Sequence, residues 1–525
     1  MLIKTKNILH LSLKISALTI VVFIFMTGIN TPILADDLKK ENDILSQYEE
    51  MEYTFEEPLI VQNPYSRNEL SALVKFPTEK EAQIELSILP KKNESVIKHL
   101  FKEFKVQHEV PIYALFPNHD NKIILKAIFK DGSTKTSKIN IKTPKIKKQA
   151  LYIVKENKNP TTAYHYFHGG IVFDTHGNVR LNFLPEYEML WFLNGEFIAE
   201  DRNQGIIRYN MLGKKLQTYP YPKGFTSFTH GLTQKPNKNF LIVGSFDNQY
   251  ALFEGEKAQT SRDFVIELDY QTGALVNKID LAELLNPDRT FIIKSNTKNY
   301  GLNNWCHINS VSYDLNDKGI LVSCRHAGLF KINEQTKEIL YIISPHTGFE
   351  KSGRNGNGLP LKDKLLTALD KNGVPLSLSV QTGKQKHPDF KWPTKTHDAK
   401  ILSDNIVSVF DNSGDLFDKE IITSKNSIAQ VFKINPDKKT IQNIFFYPLD
   451  VHSESGSSVI YNKKDNKISI FASIVKDSQQ QGIGYGKLLE LNLKTKEKLF
   501  ESILYRGGET YFYGIMPFNF YPEEE

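Results

Sequence analysis

The sequence predicts an all-β chain, a six-bladed β-propeller preceded by a small N-terminal β-sandwich-like domain. Three observations predict it. An apolar strand pair joined by a polar turn recurs six times after residue 150, residues 40 to about 148 hold short alternating stretches without helical periodicity, and no doubly wound α/β pattern interrupts either region. Alternation at period two marks half-buried strands, and repeated units of about 40–60 residues with up to four strands are what propeller blades require.

Residues 1–35 read as an export signal. Lys4, Lys6 and Lys14 precede an apolar run from Ile15 to Met26, and the small residue Ala35 stands before Asp36. The run is short of the ~20 residues that a spanning helix needs, so cleavage after Ala35 is expected rather than a retained anchor. No Cys lies beside that point to carry a lipid. The expected location is exported: periplasmic, or extracellular if there is no outer membrane.

Residues 36–148 form the expected N-terminal domain. Ala82 to Leu89 and Lys122 to Phe129 alternate like strands, and the basic, Pro-bearing stretch Lys142 to Lys148 reads as a linker. The propeller is expected over 149–525. Its repeat is carried by Val172 to Leu181, Arg208 to Leu216, Leu268 to Val276, Phe330 to Leu340, Phe432 to Ile441 and Leu489 to Leu499. Several copies follow a second signal, a polar turn and an apolar strand, as at Asn194, Asn237, Asn316, Asp404 and Asp465. Residues 352–395, rich in Gly, Pro, Lys and Asp, read as an insertion with a short helix at Lys362 to Asp370.

Composition narrows the function. The chain is 40% hydrophobic and 24% charged, and its net charge of +6 arises from 66 basic against 60 acidic residues, with Lys scattered rather than gathered in a stripe. Nucleic acid is therefore not an expected partner. The two cysteines, Cys306 and Cys324, flank a hairpin whose strands run from His307 to Tyr313 and from Gly319 to Arg325. An exported chain meets an oxidising compartment, so the pair reads either as a cross-strand disulfide, made with disulfide-forming machinery, or as two free thiols.

Polar residues precede the strand signals in four successive repeats. His230 stands ten residues before Phe240, His307 thirteen before Ile320 and His397 nine before Ile406, while Ser453 to Ser458 lie at a similar distance before Ile468. Equivalent positions of successive blades converge on a propeller's axis, so these residues are expected at one mouth. Three His in register would also suit a metal such as Zn, Cu or Ni. Arg325 at the same mouth argues for an oxyanion, which its planar fork of donors would bind.

Asn304-Trp305-Cys306-His307-Ile308-Asn309-Ser310, then Ile320 to Arg325, then Thr396-His397-Asp398-Ala399 and Val407 to Asn412 resemble the arylsulfate sulfotransferase family over roughly residues 150 to 520. The resemblance implies transfer of a sulfuryl group from a phenolic sulfate donor to a phenolic acceptor without a nucleotide donor or other cofactor. It implies His397 as the sulfurylated nucleophile, His307, Asn309 and Arg325 around the sulfuryl oxygens, and His230 as a further active-site histidine. Ser457 or Ser458 would supply a hydroxyl, Trp305 is a candidate for the aryl pocket, and a homodimer through the N-terminal domain is implied. His326 is expected on the opposite strand face, and His168 is left outside the site. The alternatives are a non-catalytic propeller that binds sulfated or other anionic ligands, and a metal-dependent propeller enzyme.

Overall fold

The computed structural model describes residues 32–522 apart from 92–94, 147–149, 159–162, 185–188, 254–255, 291–303, 415–419, 477–483 and 506–511. The basic residues and apolar run of the expected export signal lie outside the described residues.

The first element of the described residues is helix Pro32–Glu50, which spans the expected cleavage point and runs into a stretch where no helical period was expected. Its apolar stripe is thin. Ile44 is buried with Leu59, Tyr65, Leu73 and Leu212, with Tyr48 packed against them, whereas Leu38 and Leu45 are exposed. Polar contacts supply the rest: Asp37, 2% exposed, accepts from Arg67 Nη1 at 2.8 Å and from the Lys215 N–H at 2.7 Å. So sparse a 3.6-residue period left little to detect.

The N-terminal sheet has five strands, Leu59–Gln62, Ala72–Ile88, Ile97–Ile112, His119–Phe129 and Thr134–Thr143. Its long second strand changes register between Pro77 and Ala82, pairing with Leu59–Gln62 before that break and with His119–Phe129 after it. Ala82, Ile84, Leu86 and Ile88 point inward at period two.

Beyond it lie, among the described residues, six sheets of four or five strands, antiparallel apart from one short edge pair, and one two-stranded sheet. These sheets make up the propeller-like part of the described chain. The innermost strands of the larger sheets are Ile515–Pro517, Leu190–Leu193, Phe225–Gln234, Ile308–Tyr313, Thr396–Leu402 and Ser458–Asn462, the first of them backed by Tyr164–Phe167. Ring closure comes from exchange of chain ends. Ile515–Pro517 pairs with Tyr164–Phe167, and Leu151–Asn157 pairs with Lys498–Tyr505 of the last sheet. Each early or late strand thus covers an edge made by the other end of the chain. Every copy of the sequence repeat is the hairpin of a sheet's third and fourth strands counted from the inner edge, for example Gly328–Asn333 with Ile339–Ile343 and Gly484–Asn492 with Lys498–Tyr505.

The helix expected at Lys362 to Asp370 is not formed. Only Lys362–Lys364 makes a 3₁₀ turn, and Thr367–Ala368 pairs in parallel with the outer strand Thr440–Pro448. The N–H groups of Leu366, Thr367 and Leu369 donate to Ile342, Lys439 and Ile441, so edge pairing consumes the donors a helix would need. Cys306 and Cys324 form a disulfide. Cys324 pairs in register with Ile308, so the bond runs diagonally from the residue before His307 to the residue before Arg325.

Candidate active site

Strand Phe225–Gln234 packs on Ile308–Tyr313, that strand on Thr396–Leu402, and that in turn on Ser458–Asn462. In three of these inner strands the pairing register breaks, between Phe228 and Leu232, Ile308 and Ser310, and His397 and Lys400. At or beside each break one non-glycine residue takes a left-handed backbone: His230 with φ 52°, His307 with φ 52° and Asp398 with φ 50°. A bulge re-aims a side chain out of the sheet's alternation, at a backbone cost that persists where the surroundings enforce it.

The result is one cluster of rings. His230 stacks on His307 at 5.6 Å and on Tyr513 at 4.7 Å; Tyr513 meets His397 edge-on at 5.8 Å, and His326 meets His307 edge-on at 5.7 Å. Between the first pair lies Arg262, whose Nη1 is 3.1 Å from Nε2 of both His230 and His307.

Hydrogen bonding fixes the proton on each ring. Asn412 donates through Nδ2 to the Ser453 carbonyl at 2.8 Å, which turns its oxygen toward His397 Nδ1 at 2.5 Å. A carbonyl oxygen only accepts, so Nδ1 carries the proton and Nε2 keeps its lone pair. Asp411 supports this turn by accepting from the Thr394 and Ser413 N–H groups and from Lys391 Nζ. Arg262 can only donate, so Nε2 of His230 and His307 are likewise lone pairs. Their Nδ1 protons then face Met189 Sδ at 3.4 Å and the Asn304 amide, whose Nδ2 is placed 2.5 Å from His307 Nδ1 and whose partnerless oxygen takes that position when the amide is turned over to accept the proton.

All four imidazoles are held neutral. Burial, then the Arg325 charge, pushes His397 down to about 3, against weaker upward pulls from Asn412 and the Lys395 carbonyl. Burial followed by Arg262 holds His230 and His307 far below the ordinary range, and burial followed by Arg325 does so for His326. In the unfolded chain these rings titrate near the usual ~6.5 and bind protons that the folded chain refuses, so stability rises with pH across that interval. The denaturation midpoint is expected to fall as pH drops from 8 to 5, and His326→Asn is expected to flatten that dependence.

A family model described as arylsulfotransferase matches residues 136–513, and one described as the arylsulfotransferase Ig-like domain matches residues 59–144. The chain belongs to the arylsulfotransferase family. Among curated relatives, arylsulfate sulfotransferase AssT of Escherichia coli is 29% identical over 340 residues, covering 58% of this chain and 54% of that protein. AssT of Lelliottia amnigena is 23% identical over 541 residues, covering 83% of this chain and 88% of its own. The first alignment therefore spans about half of that relative's length. Among solved structures, the RRP9 WD40 repeats align with a TM-score of 0.32 at 9% identity, over 69% of this chain and 100% of theirs, a likeness that carries no argument.

Within this arylsulfotransferase, the structure gathers His230, His307, Arg325 and His397 and separates other expected members. Arg325 bears on all four imidazoles electrostatically, and its Nη2 donates to the Glu454 carbonyl at 2.7 Å. Asn309, 1% exposed, donates through Nδ2 to the Thr396 carbonyl and so joins two inner strands beside His397. Ser457 and Ser458 are buried stitches, their hydroxyls accepting from the Ser473 and Ile515 N–H groups. Trp305 is not at the mouth. It is 1% exposed in the core of its blade, with its indole N–H on Asp263 Oδ2 at 3.0 Å. His326 is not on an opposite face, because the strand ends at Cys324 and alternation ends with it. His168 is half-buried, with its ring against Gly514, the residue after Tyr513. Among the described residues no three His, Cys, Asp or Glu are grouped to hold a metal.

Sequence reasoning missed Arg262, Tyr513 and Asn304, and it quoted Asn412 without giving it a role. Only Asn304 and Asn412 left a signal, each in a motif already singled out. Close approach of inner strands gives a direct test. A Cβ on Gly231 would lie 2.7 Å from Val243 Cγ2 and 3.1 Å from the Ser310 Cα. Gly231→Ala is expected to cost about 1–3 kcal/mol in denaturant unfolding, as overpacking does, and to lower activity by parting His230 from His307.

Proposed function

We propose that this protein is an aryl-sulfate sulfotransferase working by double displacement through His397. The observation that carries the reading is the Asn412 contact, which leaves the His397 Nε2 lone pair available in a neutral ring beside Arg325 and two further histidines. Nε2 attacks the donor's sulfur, the S–O bond to the aryl group breaks, and the phenolate leaves with that electron pair and takes a proton from water, to which the imidazole that later accepts the acceptor's proton returns it. The acceptor phenol then gives its proton to an imidazole, its oxygen attacks the same sulfur, and the N–S bond breaks to restore His397. Splitting the transfer in two avoids any direct meeting of donor and acceptor. Arg325 stabilises charge on the non-bridging oxygens.

On the same reading, residues 1–35 are an export signal, 36–148 the N-terminal domain and 149–525 a six-bladed propeller in an exported, periplasmic enzyme. Its partners are a phenolic sulfate, a phenol and a second copy met through the N-terminal domain. The disulfide fits that compartment. The reading is tested with 4-nitrophenyl sulfate and varied phenol. Nitrophenol release that depends on phenol, with parallel double-reciprocal lines and no effect of excess chelator, is the expected result. Tight binding of aryl sulfates without turnover would replace it with an anion-binding propeller, and loss of turnover in chelator with a metalloenzyme.

A further inference from the structure

Arg262 lies in the turn between strands Glu256–Gln259 and Phe264–Leu268. Its backbone is left-handed, with φ 57°, and pinned on both sides: its N–H donates to Ser245 Oγ at 2.9 Å, and its carbonyl accepts from Ile308 N–H at 3.0 Å. The next residue, Asp263, is buried and held by Thr260 Oγ1 at 2.7 Å and Trp305 Nε1 at 3.0 Å. The main chain is thus fixed while the long side chain reaches the two imidazoles. Among the described residues its guanidinium meets no carboxylate, only the two Nε2 atoms at 3.1 Å.

A guanidinium whose acceptors are two neutral rings is an incomplete pairing. Charge-assisted bonds to an oxyanion are roughly twice as strong as neutral ones, so an arriving sulfuryl group competes for the same N–H donors. We propose that Arg262 is a positioning residue, an anion-responsive clasp that holds His230 and His307 as Nδ1-protonated tautomers in the empty site and releases their Nε2 lone pairs when a sulfate-type oxyanion draws the guanidinium away. Only then can either ring take the acceptor's proton. No bond other than these hydrogen bonds is made or broken.

The charged and titratable groups about His230 are Arg262, His397 and Arg325, with Tyr513 stacked on it; those about His307 are Arg262, His230, His326 and Arg325. Arg262 is the nearest cation to both rings, so replacing it with a neutral side chain raises the pH at which they protonate.

The inference rests on the sulfotransferase reading, but its test does not need turnover. Nitrogen-15 NMR of histidine-labelled full-length protein reports tautomer and protonation for each ring, with inorganic sulfate as the probe. In the wild type, both rings are expected as Nδ1–H tautomers whose Nε2 signals move toward the unbonded value on saturation with sulfate. In Arg262→Gln, sulfate is expected to leave those signals in place, and both rings to titrate about one pH unit higher. Arg262→Lys, which keeps the charge, is expected to restore the wild-type titration. Unchanged Nε2 signals in wild type with sulfate, or identical titrations in wild type and Arg262→Gln, would overturn the clasp. The wild-type experiment stands even if the variant does not fold, and absence of nitrophenol release by wild type would bear on the sulfotransferase reading alone.

Discussion

His397→Ala is expected to abolish acceptor-dependent transfer, with at least about a 10⁴-fold loss in kcat, the scale met when a covalent nucleophile is removed. The other imidazoles cannot substitute. His230 Nδ1 faces Met189 Sδ rather than a carboxamide, and among the described residues the Asn304 amide at His307 Nδ1 is not held by a second hydrogen bond as Asn412 is by the Ser453 carbonyl. The fold is expected to survive with a modest loss, about 1–3 kcal/mol, because the Asn412 oxygen is left buried without its donor. A thermal melt beside the assay separates the two effects.

Asn412→Ala is expected to lower kcat by about 10²–10⁴-fold with little change in KM, since a ring free to carry its proton on Nε2 offers sulfur no lone pair. Its effect on charge would not explain such a loss: Asn412 pulls the His397 pKa upward, so its removal leaves the ring still more firmly neutral. Asn412→Asp separates tautomer from charge. A carboxylate keeps the proton on Nδ1 but favours the imidazolium, so activity is expected to be regained at high pH and lost as pH falls through the raised pKa. A pH profile of kcat for both variants checks this pair of outcomes.

The fold was legible in the sequence where its determinants are local. Each outer hairpin turns within a few residues, so Asp-Tyr-Gln-Thr-Gly at 269–273 and Asn-Glu-Gln-Thr-Lys at 333–337 announce it directly, with Asp269 and Asn333 accepting from the N–H groups of their own turns. The repeat's register then brings His230, His307 and His397 together, because inner strands of neighbouring sheets touch. Arg262 was not legible: it is a single cation in a polar turn, and its partners lie 32 and 45 residues away. Tyr513 stands after the last repeat, where no period points inward. Trp305, named as a candidate for the aryl pocket, instead turns its ring into the core of the blade, and nothing in the sequence marks which way a ring near a left-handed residue will face. His326 misled because strand alternation was carried one turn past the strand's end.

The central claim is that the His397 ring itself carries the sulfuryl group between the two half-reactions. The most direct test is intact mass and peptide mapping of the protein quenched after brief exposure to 4-nitrophenyl sulfate without phenol. One added sulfuryl group, mapped to His397, discharged by phenol and absent from His397→Ala, is the result this account predicts. A turning-over enzyme that never retains the group, or retains it on another residue, would contradict it.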